Sequence, residues 1–195
     1  MDSAALDNQW REMLKDKTRF SLEWYREHPI TKELLKADIH RGCMVDLGCG
    51  IGARAFLARE LYSLKTGRAQ RSITGVDGSQ FAVNYALDHW WVKGLHFYQA
   101  DLLNLGYPDN VFDNGYMLAV IEHIEDTDRL LSECRRVIKP GGKMFVSVTE
   151  RNYHHDDSHV HAYTARGLGR TLGAVGKHIE IYVKDHIIYA TVEVE

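Results

Sequence analysis

The chain has 195 residues and a formal net charge of −3; 26% of its residues are charged and 45% are hydrophobic. This length suits one hydrophobic core with a short accessory segment, and the composition is ordinary for a water-soluble domain. The small negative charge offers no attraction to a nucleic-acid backbone, and no apolar run approaches the roughly 20 residues of a membrane span. We therefore expect neither a nucleic-acid partner nor a membrane partner.

The N-terminus and the cysteines favour a cytoplasmic location. The chain begins without the basic-then-apolar pattern of a secretory signal. Its three cysteines, Cys43, Cys49 and Cys134, lack a paired spacing, which favours buried thiols in a reducing compartment over disulfides. The sequence does not distinguish between a monomer and a homodimer.

Residues 1–40 predict a helical cap. One helical face collects the apolar residues Leu6, Trp10, Met13 and Leu14. A second piece carries three aromatic residues before Pro29 breaks it. We expect Trp10 and Phe20 to pack in the core, and Trp24 and Tyr25 to act as a lid that excludes water from a reaction site.

Strand and helix patterns alternate from residue 41 onward, which predicts a parallel sheet between helices. The strand patterns are Cys43–Leu47, Ser72–Asp77, Leu95–Asp101, Tyr116–Val120 and Lys143–Thr149. Amphipathic helices are predicted from Ala53 to about Gly67, and from Asp126 or Thr127 to before Pro140. Asn114-Gly115 interrupts the apolar pattern, and we interpret it as a twist at the entrance of the fourth strand.

The tail, His178–Val194, predicts two strands around Lys184-Asp185-His186. Such a hairpin adds an antiparallel strand to one edge of the sheet. No linker separates the segments, so we expect residues 41–195 to form the ligand-binding domain and residues 1–40 to be part of that same domain.

A glycine-rich run, Val45-Asp46-Leu47-Gly48-Cys49-Gly50-Ile51-Gly52, follows the first strand. Glycine at every second position is typical of a tight turn that lets the backbone approach a ligand, and the next helix points its N–H groups at the same place. Asp46, ahead of the first glycine, suits a cationic or hydroxyl-bearing ligand. The loop also fits a relaxed dinucleotide fingerprint, but the chain has little room for the further parts that an NAD enzyme needs.

Acidic residues end the first three strand patterns, at Asp46, Asp77 and Asp101. Ligands of open parallel sheets bind beyond the carboxyl ends of the strands, so these acids would line one crevice. Asp77 suits the two hydroxyls of a ribose, and Asp101 suits the amine of an adenine. Each acid alone could equally cap a helix or a turn, but three in register with a glycine turn favour a nucleoside ligand.

The sequence resembles class I S-adenosylmethionine-dependent methyltransferases. The pieces that carry the resemblance are the glycine-rich run, Gly75-Val76-Asp77-Gly78-Ser79, Ala100-Asp101-Leu102, Phe112-Asp113, Ile121-Glu122-His123-Ile124 and Arg136-Val137-Ile138-Lys139-Pro140-Gly141-Gly142-Lys143. The resemblance implies an α/β, Rossmann-like sheet of seven strands, mostly parallel with the last strand antiparallel, with helices on both faces. It also implies S-adenosylmethionine as the cofactor and S-adenosylhomocysteine as its product.

The resemblance assigns the parts of the cofactor to parts of the chain. It implies that the glycine loop lies beside the methionine moiety, Asp77 at the ribose, Asp101 and Leu102 around the adenine, and Met117 to Ala119 near the sulfonium. The cofactor-binding residues that we predict are Asp46, Gly48, Cys49, Gly50, Asp77, Gly78, Ser79, Asp101, Leu102 and Leu118.

Residues 151–161 are rich in histidine and aspartate and follow the fifth strand, where an acceptor would enter. Three interpretations stay open: a solvated loop, a loop that binds the acceptor or supplies a base, and a metal site. Our candidates for acceptor contact or proton removal are His123, Tyr153 and His159. Glu122-His123 resembles part of the Glu-x-x-Glu-His pattern of metal-dependent RNA-end methyltransferases, but Ala119 replaces its first glutamate, so we predict no metal ligand.

These observations predict methyl transfer to a nitrogen or oxygen of a small-molecule acceptor. The chain lacks an Asn-Pro-Pro-Tyr-type motif and a Pro-Cys dipeptide, so the resemblance argues against methylation of an adenine amine and of a cytosine carbon. The alternatives are a metal-assisted RNA-end methyltransferase and a non-catalytic partner subunit that keeps the fold.

Overall fold

The computed structural model describes residues 2–18, 20–66, 72–151, 153 and 158–195, with only the backbone of residues 62–66. Its strands are β1 (Cys43–Leu47), β2 (Ser72–Asp77), β3 (Leu95–Gln99), β4 (Asn114–Leu118), β5 (Lys143–Thr149), β6 (Gly176–Lys184) and β7 (Ile187–Val194). They form one seven-stranded sheet in the order β3-β2-β1-β4-β5-β7-β6. Strands β1 to β5 pair in parallel, whereas β7 is antiparallel to both of its neighbours. The predicted Rossmann-like sheet with its antiparallel last strand is confirmed.

The helices are α1 (Ser3–Met13), α2 (Leu22–Glu27), α3 (Pro29–Leu34), α4 (Ala53–Thr66), α5 (Gln80–His89), α6 (Thr127–Val137) and α7 (Ala165–Leu172), with a 3-10 helix at Ile121–His123. Side-chain caps begin several of them: Ser79 accepts a hydrogen bond from the third residue of α5, and Asp126 does the same for α6. None of the described helices is long and apolar enough to cross a membrane.

Two core clusters cover the two faces of the sheet. Val45 and Leu47 of β1 pack in one cluster with residues of α6 and α7, whereas Met44 packs in the other with residues of α4 and α5. This division follows from the alternation of side chains along a strand. Helices therefore lie on both faces, as predicted.

Strand β4 begins and ends two residues earlier than the sequence pattern predicts. Asn114 and Gly115 pair regularly with β1 and β5, so they are members of the strand and not a twist at its entrance. A Cβ at Gly115 would lie 2.9 Å from side-chain atoms of both Val45 and Ile138. Glycine is needed there because the neighbouring side chains approach closely, which the apolar pattern alone does not reveal.

Three smaller expectations also change. Strand β3 ends at Gln99 and not at Asp101. Residues 3–38 hold three helices and not two, because Pro29 both ends α2 and begins α3. A proline suits the first turn of a helix, where its missing N–H has no partner to lose. The predicted tail hairpin is confirmed, and its turn uses positive φ angles at Asp185 and His186.

Candidate functional site

The glycine loop after β1 turns back sharply and is tied to β2. Gly48, Gly50 and Gly52 have φ angles of 77°, 53° and 76°, in the left-handed region that favours glycine. The backbone N–H groups of Gly48 and Cys49 both donate to the carbonyl of Val76, at 2.8 and 2.9 Å. The loop is therefore a fixed cradle at the carboxyl end of the sheet.

The Asp77 side chain links this glycine loop to the residue that caps α5. Its Oδ2 accepts a hydrogen bond from Gly50 N at 2.8 Å, and its Oδ1 accepts one from Ser79 N at 2.9 Å. The side chain is buried; this burial raises its pKa, and the two hydrogen bonds oppose the increase. Each carboxylate oxygen keeps a second lone pair, which a ligand hydroxyl can use.

Helix α1 covers this crevice. Asp7 accepts hydrogen bonds from Ser79 Oγ at 2.6 Å and from Phe81 N at 3.0 Å. A Cβ on Gly78 would lie 2.8 Å from Leu6 Cδ1, and the ring of Trp10 lies directly against Gly50. Helix α1 thus covers several of the residues that we predict to bind the cofactor.

The aromatic residues of the N-terminal segment pack around one hydrophobic cluster. Trp10 and Phe20, predicted to pack in the core, and Trp24, predicted for the lid, are partly buried against this cluster, and the Trp10 ring also lies over Gly50. Tyr25, predicted for the lid, is buried in a cluster at the start of α4, beneath the Arg54 guanidinium at 4.9 Å. The reason is long-range: α1 docks on α5 through Asp7, a contact that helical periodicity does not report.

A buried polar cluster lies beside the glycine loop, centred on Asp46, which is 2% exposed. Asp46 pairs in register with Tyr116 of β4. Burial raises the pKa of Asp46 to about 8, although the nearby Arg54 and Tyr116 favour its charged form. Within the described ranges, Asp46 Oδ2, Arg54 Nε and the hydroxyls of Ser147 and Tyr189 have no hydrogen-bond partner. Buried polar groups are costly without partners, so this cluster suits the polar end of a ligand.

The residues predicted to contact the adenine, Asp101 and Leu102, lie close to Asp77. The N–H of Ala100 donates to the carbonyl of Asp77 at 3.0 Å, which brings Asp101 and Leu102 beside it. Asp101 is exposed, and its Oδ1 accepts from Leu103 N at 2.9 Å, so it also caps a turn. Leu102 is buried.

The two remaining candidates are Cys49 and Leu118, and both are buried. Burial raises the pKa of the Cys49 thiol, so this cysteine is a packing residue of the loop and not a nucleophile.

The backbone has an uncommon conformation immediately after β4. Ala119 has a φ of 55°, and its N–H donates to the carbonyl of Ser147 on β5 at 2.9 Å. A positive φ is uncommon for a residue with a Cβ and often marks a functional site. The 3-10 helix Ile121–His123 follows directly after Val120. No local pattern in the sequence predicts the positive φ of Ala119.

Two of the three catalytic candidates meet beyond Ala119. The rings of His123 and His159 lie with their centroids 4.8 Å apart and nearly perpendicular. Tyr153 lies elsewhere: it is 60% exposed and stacks on His186, with ring centroids 4.1 Å apart. The histidines and aspartates at positions 154–157, part of the histidine-rich segment, fall outside the described residues.

A sequence profile described as a methyltransferase domain matches residues 45–146, just over half of the chain. The chain belongs to this methyltransferase family. A solved S-adenosylmethionine-dependent methyltransferase from Aquifex aeolicus has a similar fold, with a TM-score of 0.73 at 17% identity and 100% coverage of both chains. The family model thus confirms the predicted methyltransferase domain, and the solved structure confirms its predicted fold.

The curated relatives of this methyltransferase include enzymes with different acceptors. Phosphoethanolamine N-methyltransferase from Triticum aestivum is 35% identical over 106 residues, which are 53% of this chain and 20% of that protein. Ubiquinone biosynthesis O-methyltransferase from Coxiella burnetii is 31% identical over 112 residues, 56% of this chain and 44% of that protein. The chain thus spans less than half the length of these relatives. The acceptors named for those proteins are therefore not assigned to this chain.

The sequence analysis did not assign several residues to this candidate site. Asp7 and Trp10 reach the crevice through the docking of α1, which no local pattern reveals. Arg54 was visible only as a polar residue in the first turn after the glycine loop. Tyr116 had a usable signal, because aligning the first and fourth strand patterns as parallel neighbours pairs it with Asp46.

Binding of the cofactor to the methyltransferase is expected to release a proton. Burial holds the pKa of Asp46 at about 8 in the free protein, so most of this carboxyl is protonated at pH 7. The α-ammonium of S-adenosylmethionine or S-adenosylhomocysteine beside it would favour the ionised form and lower that pKa. We expect the binding enthalpy at pH 7 to differ between phosphate and Tris buffers by the corresponding ionisation enthalpy.

The variant Asp46→Asn tests whether the released proton comes from Asp46. At pH 7 it should bind with the same enthalpy in both buffers, because it has no carboxyl proton to release. A buffer effect that persists unchanged in Asp46→Asn would show that another group releases the proton.

Proposed function

We propose that this methyltransferase transfers the methyl group of S-adenosylmethionine to a nitrogen or oxygen of a small-molecule acceptor and releases S-adenosylhomocysteine. The observation that carries the proposal is the pair of hydrogen bonds by which Asp77 joins Gly50 and Ser79 into one cradle. A partner protein that only kept the fold would not need this cradle, nor the lid above it. A cytoplasmic location and a monomeric or homodimeric state remain part of the proposal.

The residues around the cradle fit the cofactor. The free lone pairs of Asp77 suit the ribose hydroxyls, and the Asp46 carboxyl, whose Oδ2 has no hydrogen-bond partner among the described residues, suits the α-ammonium of the methionine moiety. Gly78 and Leu102 offer flat and apolar contact for the adenine. When bound, the cofactor supplies an electrophilic methyl group on its sulfonium. Trp10 and Leu6 lie against this surface, so α1 would open to admit the cofactor and close over it.

The protein's part in the reaction is to align the acceptor with that methyl group and to exclude water. An amine acceptor needs only to lose its proton, whereas a hydroxyl gains more from a base. His123 and His159 lie beyond the end of β4, where such a base would stand. Tyr153, in the segment after β5, stacks on His186 of the turn between β6 and β7 and is proposed as an acceptor contact.

The acceptor class is tested by supplying the purified protein with S-adenosylmethionine labelled in its methyl group. Three separate pools are offered: a metabolite extract passed through a small-pore filter, total RNA, and total protein. We expect label in the metabolite pool only, with none when Asp77→Ala replaces the wild type. Label confined to RNA or protein would contradict the small-molecule acceptor, and no label from a protein that binds the cofactor would favour the non-catalytic alternative.

A further inference from the structure

Three potential metal ligands converge at the rim of the crevice. Glu122, His123 and His159 each offer one ligand atom, and these atoms all lie within 4.8 Å of one another. Two of them are neighbours on the 3-10 helix that follows the strained Ala119, and the third comes from a segment 36 residues farther along the chain. Their meeting is therefore a product of the fold and not of local sequence.

Backbone hydrogen bonds hold the two segments together. The N–H groups of Val160 and His161 both donate to the carbonyl of Glu122, at 2.9 and 3.1 Å. These bonds fix His159, the residue just before them, against the 3-10 helix. The cluster thus rests on backbone that is anchored on both sides, as a preformed ligand site requires.

The ring of His123 is oriented by its other nitrogen. Its Nδ1 lies 3.1 Å from the carbonyl oxygen of Ser158 and 3.2 Å from the Ser158 hydroxyl. Nδ1 therefore carries the proton and donates it to the carbonyl, which leaves the lone pair on Nε2. Metal-binding histidines usually have this arrangement, because the second hydrogen bond fixes both the tautomer and the ring plane.

The chemistry of the set suits a cation. Glu122 is 1% exposed, and a buried carboxylate is stabilised by positive charge beside it. Glu122 and burial together raise the pKa of Tyr163 to about 12, burial being the larger cause. Two imidazoles and one carboxylate are ligands that Zn²⁺ and similar divalent cations accept, and three protein ligands leave a coordination position open.

We propose that Glu122, His123 and His159 bind one divalent transition-metal cation with the ligand preference of Zn²⁺. The sequence pattern already contains Glu122 and His123 but has no ligand at Ala119; the fold brings His159 to the other two. On the proposed function, the open position would accept an oxygen of the acceptor, lower the pKa of its hydroxyl, and so favour oxygen over nitrogen acceptors. Cation binding itself does not depend on methyl transfer, so it is tested separately.

The test uses the full chain, freed of metal by a chelator and then titrated with ZnCl2 by calorimetry and with CoCl2 by visible absorption. We expect one cation per chain and a Co²⁺ spectrum of low coordination number. His123→Ala and His159→Ala should each weaken binding on the order of 100-fold or more, because each removes one of three ligands. His161→Ala is the matched control: it lies in the same segment, but its Nε2 contacts the carbonyl of Glu125 at 3.2 Å instead.

Binding of S-adenosylhomocysteine and the unfolding temperature are measured on every variant, so that loss of the cation is separated from loss of the fold. A folded wild type that binds S-adenosylhomocysteine but takes up no stoichiometric cation would overturn the metal site and leave the proposed function intact. Unchanged cation affinity in His159→Ala, or a loss in His161→Ala as large as that in His123→Ala, would also overturn it.

Discussion

Replacing Asp77 with alanine is expected to weaken the binding of S-adenosylmethionine and S-adenosylhomocysteine by about 1–3 kcal/mol. The variant loses the carboxylate lone pairs that suit the ribose hydroxyls. It also frees Gly50 N and Ser79 N, which Asp77 holds at 2.8 and 2.9 Å. Calorimetric titration of both compounds measures the effect, and the product S-adenosylhomocysteine reports binding without turnover.

Two variants separate the possible causes. Asp77→Asn keeps one oxygen acceptor for a backbone N–H but loses the charge, so its affinity should fall between those of the wild type and Asp77→Ala. Asp88→Ala removes an exposed acid of α5 and should leave the affinity unchanged. An unaltered affinity in Asp77→Ala would contradict the assignment of this residue to the ribose.

Replacing Gly48 with alanine is expected to destabilise the fold by about 2–5 kcal/mol and to abolish measurable cofactor binding. The residue has a φ of 77°, which costs an L-residue roughly 1–2 kcal/mol. A Cβ there would also clash with Val120 Cγ2 and lie 3.0 Å from its Cγ1, and overpacking of this kind costs about 1–3 kcal/mol. Urea unfolding measures the first effect, and titration with S-adenosylhomocysteine measures the second.

Gly141→Ala is the matched control for this substitution. Gly141 has a nearly equal φ of 80°, but a Cβ there meets nothing within 4 Å. It should therefore show the backbone cost alone, about 1–2 kcal/mol, and should bind the cofactor as the wild type does. Equal destabilisation by the two substitutions would mean that Val120 moves aside at no cost and that the loop is not closely packed.

The sequence predicted most of the sheet because each strand carries its own local signal. The bounds of β1, β2 and β5 are confirmed residue for residue, since apolar runs there end at glycine, acidic or turn residues. The start of β4 was wrong because Gly115 looks like a break in the pattern. Glycine is needed there because Val45 and Ile138 pack closely against it. Both neighbours are distant from Gly115 in sequence.

The candidate site also combines features that have a local sequence signal with features that depend on the folded chain. The cradle of Gly48, Gly50 and Asp77 could be predicted, because the alternating glycines after β1 and the acid at the end of β2 are both visible in the sequence. The lid could be predicted as helical, but the contacts of Asp7 with Ser79 and Phe81 require the docked helix. The proximity of His123 and His159 likewise depends on how the segment after β5 returns to the 3-10 helix.

The measurement that tests the central claim most directly is calorimetric titration of the purified protein with S-adenosylmethionine, S-adenosylhomocysteine and NAD. We expect micromolar binding of both adenosyl compounds and no binding of NAD, because the cradle suits a ribose and a methionine ammonium and the chain offers little room for a second nucleotide. A folded protein that binds neither adenosyl compound, or that binds NAD in their place, would contradict the account.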